Sequence, residues 1–149
     1  MSNISMTTSK RNAIVTVMLI SAFVSMLNQT ILNTALPAII KGLNITETTA
    51  QWLITGFMLV NGIMIPLTAF LMDKYSTRHL YIFSMAIFLI GSIVAAFSPT
   101  FTILMISRII QAIGAGILLP LMQFTVFTLF PAEQRGFAMG LAGVVVQSA

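Results

Sequence analysis

Arg108 places a permanent positive charge inside a run that is otherwise almost wholly apolar, TILMISRIIQAIGAGILL. Gln111 follows three residues later, which on a helix puts both side chains on one face. A third polar group, Asn28, lies in a similar setting, MLISAFVSMLNQTIL. A guanidinium and two amides can orient a solute or steer a proton by hydrogen bonding, but they do not make or break covalent bonds. Catalytic constellations are scarce elsewhere. The chain has no cysteine and one histidine, His79, and its three acids are Glu47, Asp73 and Glu133. That inventory lacks a thiol nucleophile, a paired acid and base, and a His/Cys/Asp/Glu cluster with metal-ligand spacing. The sequence therefore predicts no enzyme activity, no metal and no cofactor.

The surroundings of these residues define the class. Hydrophobic residues make up 58% of the 149 and charged residues 7%, whereas a soluble domain carries about 25% charged residues to wet its surface. Crossing a bilayer takes about 20 apolar residues in a helix. Spans are expected at about 13–36, 51–72, 80–97 and 101–130, after a polar tail over 1–12. A further apolar segment over 136–149 has 14 residues and would reach only about 21 Å as a helix. The expectation is an all-α membrane protein with four complete transmembrane helices and part of a fifth, cut within that span. A cleaved signal peptide competes for the first span, but the stretch is long for one and no small-x-small site closes it.

The net charge of +4 raises nucleic acid as a partner. No Lys/Arg cluster is present to track a phosphate backbone, so none is expected. The bases instead report topology. Lys10, Arg11, Lys74, Arg78 and Arg135 fall on one side of the spans and Lys41 on the other. Positive charge collects on the cytoplasmic side, which puts the amino terminus inside a multi-pass protein of the cell membrane. Trp52 then suits the outer headgroup layer.

Polar groups within spans belong toward a protein interior or a watery cavity. Ser21, Ser25 and Asn28 share one stripe of span one, while Thr30, Asn33 and Thr34 lie around the other side. This helix is therefore expected to be surrounded by protein. Helix-to-helix hydrogen bonding suffices for the serines and threonines. Asn28 is open to either that role or a cavity-lining one. Burying Arg108 costs about 2.5–3.5 kcal/mol on the insertion scale, and snorkelling to the outer headgroups is its alternative. Gln111 and the glycines after it favour a functional interior. Gly136 and Gly140 would allow close helix approach, and Pro66 and Pro120 are candidate kinks. No carboxylate falls mid-span.

Several stretches together resemble the major facilitator superfamily, especially its drug:proton antiporters with fourteen spans. Leu27 to Pro37, LNQTILNTALP, is similar to that group's L-D-x-T-I-V-N-V-A-L-P, with Asn28 at the Asp position. Proton coupling by that Asp does not carry over. Trp52 to Leu59 resembles W-x-x-T-x-Y-x-L, with Phe57 in place of Tyr. Ala69 to Arg78 resembles the loop motif G-x-L-A-D-R-x-G-R-R, keeping Asp73, Lys74 and Arg78 in type and departing at Ala69, Ser76 and Thr77. Arg108 to Gly116 resembles R-x-x-Q-G-x-G-A-A, and Pro131 to Gly140 resembles P-x-x-x-R-G-x-A-M-G.

The resemblance implies the N-terminal part of a six-helix bundle in a lincomycin-resistance-like exporter. Alternating access would carry small amphipathic substrates across a lipid bilayer, coupled to protons and completed by the missing remainder of the transporter. It further implies a substrate and proton pathway at Asn28, Arg108 and Gln111. Asp73, Lys74, Arg78 and Arg135 would form a cytoplasmic latch, for which a solvated topogenic loop is the plainer reading. An importer or metabolite exporter of the same fold remains an alternative. So do a small oligomeric four-span channel or structural subunit and a non-transporting sensor.

Overall fold

The computed structural model describes residues 8–147 and shows five helices among them, α1 Thr8–Leu43, α2 Glu47–Lys74, α3 Thr77–Ala96, α4 Phe101–Leu129 and α5 Ala132–Gln147. The first four are long and apolar enough to cross a membrane. Residues 1–7 of the expected tail and 148–149 of the last segment lie outside the described residues.

Each boundary has a local cause. Thr46 and Thr100 cap α2 and α4 by accepting from Thr49 N at 3.2 Å and Ile103 N at 3.4 Å, satisfying donors that a helix start leaves free. Helix α1 stops where Asn44 adopts φ 51° and Ile45 N donates to Ile40 O at 3.2 Å. That left-handed residue and six-to-one bond form a Schellman end. The helix thus runs through Pro37 and outlasts the apolar stretch at both ends, since caps rather than hydropathy set its length. It also begins before the apolar stretch and takes in Lys10 and Arg11.

Helix α4 is the hub. Over half of its most apolar stretch is buried, against less than a third in each of the other three. Short connections turn successive helices antiparallel, and α2, α3, α1 and α5 all lie against α4. The α3–α4 approach depends on glycine. A Cβ on Gly114 would stand 2.6 Å from Ser84 O and 2.9 Å from Phe88 N, and one on Gly91 would stand 2.9 Å from Gln111 N.

Two expectations concern packing that the described residues do not supply. Helix α1 is not enclosed by the described residues, because Thr30, Asn33 and Thr34 are exposed and Thr34 turns its hydroxyl back to Thr30 O at 3.1 Å. Gly136 and Gly140 do not mediate a described close approach, since a Cβ on either would meet no atom within 4 Å. Helix α5 instead buries Ala138 and Ala142, two small residues four apart, against the rest of the bundle.

Candidate functional site

The site starts from Arg108, about 10 Å along α4 from its first residue at 1.5 Å per residue. Its side chain is 2% exposed, so it turns into the bundle instead of snorkelling. Nη1 donates to Asn28 Oδ1 at 3.1 Å and to Gln111 Oε1 at 2.8 Å. Arginine has no acceptor, so both amides must present their oxygens. The Phe57 ring of α2 lies 4.3 Å from the guanidinium carbon, a cation–π contact. Phenylalanine in place of tyrosine there leaves a plain ring under the charge.

Gln111 relays the network onward. Its Nε2 donates to Ser92 Oγ at 3.0 Å, and Ser92 donates in turn to Phe88 O at 2.9 Å. Arg108, Gln111 and Ser92 therefore form a directed chain from α4 to α3, with Asn28 joining it from α1. Beside the network is a cavity of about 130 Å³ whose walls include Asn28, Ile31, Leu32, Leu104, Arg108 and Gln111. Its wall is apolar except at these three polar side chains.

Structure thus brings together the three residues of the expected pathway, Asn28, Arg108 and Gln111. Ser92 joins them without having been singled out from the sequence. Its signal is weak, a serine in α3 one turn beyond Phe88. A second cross-helix link was equally hidden: Ser21 of α1 and Tyr81 of α3 share a hydrogen bond at 2.6 Å.

The expected latch residues are dispersed. Asp73, Lys74 and Arg78 are exposed, with Lys74 over the Phe70 ring at 4.5 Å. Arg135 is held apart from them, its Nε donating to Phe130 O at 3.0 Å at the end of α4. Arg11 stacks over the ring of Phe130 at 4.5 Å. Among the described residues Arg135 is therefore tied to the end of α4, where Arg11 of α1 also meets Phe130, and not to the α2–α3 connection. Ser76 opens α3 but gives no side-chain cap, because its hydroxyl bonds His79 Nδ1 at 2.6 Å.

The chain is 53% identical over 139 residues to the MFS-type transporter YcnB of Bacillus subtilis, covering 93% of this chain and 29% of that protein. It is 43% identical over 132 residues to the lincomycin resistance protein LmrB of the same organism, covering 89% and 28%. Similarity to the riboflavin transporter RibZ of Clostridioides difficile is 38% over 127 residues, covering 85% and 28%. The chain thus spans less than a third of the length of these relatives. The family model of the Major Facilitator Superfamily matches residues 18–149. This multi-pass membrane chain belongs to that superfamily.

Proposed function

We propose that this chain forms part of the first half of a secondary transporter that exports drugs or other amphipathic small molecules across the cell membrane. It is not an enzyme on this reading, and its amino terminus faces the cytoplasm. One observation carries the proposal: a buried Arg108 tied to Asn28 and Gln111 at the wall of a largely apolar cavity. A fixed cation in hydrocarbon costs about 2.5–3.5 kcal/mol even on the insertion scale. A merely structural helix contact could be made by leucine at no such cost. The likeness to a lincomycin resistance protein supports a drug-like solute.

In the mechanism we propose, the half bundle rocks against the other half about a midplane site. Helices α1 and α4 present the cavity, while Asp73, Lys74, Arg78 and Arg135 make and break cytoplasmic contacts with the other half. Protons drive export, carried on carboxylates other than Glu47, Asp73 and Glu133, because Asn28 cannot ionise.

The test is drug retention by energised cells expressing the full-length transporter. Arg108→Ala is expected to abolish efflux while the protein still reaches the membrane, and efflux at the unsubstituted rate would refute the role. A second reading, transport of a metabolite, draws support from the likeness to a riboflavin transporter. It predicts riboflavin accumulation or export, with lincomycin left unmoved, in the same cells.

A further inference from the structure

Helices α2 and α4 each carry a proline in mid-course, Pro66 and Pro120. Proline has no N–H, so the carbonyl four residues earlier loses its partner in the helix ladder. In α4 that carbonyl belongs to Gly116, a buried residue, and in α2 it belongs to Gly62. The two gaps lie side by side. A Cβ on Gly116 would stand 2.5 Å from Met64 Cβ and 2.8 Å from Asn61 Oδ1, so α2 and α4 meet closely at the level of both breaks. Among the described residues, the side chain that reaches Gly116 O is Thr68, whose hydroxyl donates at 3.2 Å. Thr68 is fully buried and lies just beyond Pro66, on the arm of α2 that runs on to Lys74. The same hydroxyl stands 2.7 Å from Met64 O on its own helix. It has one proton for the two acceptors.

We propose that Thr68 is the positioning residue of the α4 break. Its hydroxyl lends Gly116 O the proton that Pro120 cannot give, and so latches together the arms of α2 and α4 beyond their prolines. A freed carbonyl within hydrocarbon needs a donor, and a threonine from a neighbouring helix can serve. The latch can also be released. When the arms part, the hydroxyl keeps Met64 O and only Gly116 O is left free. Sharp bends of more than about 20° gather at prolines, and Gly116 to Thr128 is about 18 Å of α4 at 1.5 Å per residue. Such a bend moves the end of α4 by about 6 Å. The inference rests on the transport reading for the use of this motion in a rocking half bundle, while the latch itself stands on the α2–α4 contacts alone.

The full-length protein in detergent, with any other cysteines removed, tests the latch in two ways. The first is a double-mutant cycle read by thermal unfolding. Thr68→Val keeps the shape and removes the hydroxyl, whereas Pro120→Ala returns an N–H to Gly116 O. Thr68→Val should lower the melting temperature with Pro120 in place, and by at most about a third as much in the Pro120→Ala background. Thr68→Ser keeps the hydroxyl and should retain the latch. The second is the spin-label distance between Ser76→Cys and Thr128→Cys, two exposed positions at the ends of the arms. One narrow distribution is expected with Thr68 or Thr68→Ser. Thr68→Val should add a second distance displaced by about 6 Å, and Pro120→Ala should remove it again.

An equal cost of Thr68→Val in both backgrounds would reduce Thr68 to its bond with Met64 O and overturn the proposal. So would a distance distribution that Thr68→Val leaves unchanged. Neither readout involves efflux, so loss of transport with the latch intact counts against the transport reading alone.

Discussion

At the residue scale, the network around Arg108 was partly legible because polarity inside an apolar run is a strong signal. Asn28, Arg108 and Gln111 each break such a run. Ser92 was not legible, because a serine in a span can satisfy its hydroxyl on its own helix, as Ser92 does on Phe88 O. Only the packing of α3 on α4 makes it the acceptor for Gln111 Nε2. Ser92→Ala is expected to leave that amide without its partner and cost about 1–3 kcal/mol, the penalty of a buried unsatisfied donor. Tyr81→Phe removes the bond to Ser21, whose hydroxyl still donates to Val17 O at 2.9 Å. Its loss should be smaller, about 0.5–1.5 kcal/mol. Thermal unfolding of the detergent-purified full-length protein measures both, and an equal or reversed order would refute the network's reach to Ser92.

At the element scale, hydropathy located the first four helices and both ends of α4, but missed ends of α1, α2 and α3 by up to seven residues. Apolar length reports what suits a bilayer, whereas caps decide where a helix begins and stops, as Thr46 does at the start of α2 and Asn44 after the end of α1. Gly136 and Gly140 meet nothing in the described bundle, because small residues permit close approach without requiring it. Alanines at 138 and 142 take that role against the described bundle. The glycines of α3 and α4 behave differently, because backbone fills the space where a Cβ would go. Glycine to alanine inside a helix usually stabilises by about 0.5–1 kcal/mol. At Gly91 and Gly114 the sign should invert, since the clash is with Gln111 N in one case and Ser84 O in the other. Overpacking of this kind costs about 1–3 kcal/mol. Gly114→Ala and Gly91→Ala should therefore each lower the melting temperature, and an increase at either position would mean that α3 and α4 sit farther apart.

At the scale of the whole molecule, the distribution of charge and the packing of the helices lead to one orientation. Antiparallel neighbours joined by short connections put the α2–α3 and α4–α5 turns at the same end as the start of α1. The contacts agree for two of these, since Arg11 and Arg135 both meet Phe130. Lys10, Arg11, Lys74, Arg78 and Arg135 therefore share an end, and Lys41 near the α1–α2 turn stands at the other. Loop lysines and arginines accumulate on the cytoplasmic side because they resist translocation, which supports the proposed cytoplasmic placement of the crowded end. The segment contains no cysteine, which makes the assignment directly measurable by single substitutions in a full-length protein stripped of any others. Lys41→Cys and Ser76→Cys both fall on exposed positions at opposite ends. A membrane-impermeant maleimide added to intact cells should label the cysteine at 41 and spare the one at 76. Permeabilisation should then open position 76 to the reagent. The reverse pattern would invert the bundle and move Arg108 from the outer to the inner half of the membrane. The proposed cytoplasmic role of Asp73, Lys74 and Arg78 would then fail, while the buried contacts of Arg108 with Asn28 and Gln111 would stand unchanged.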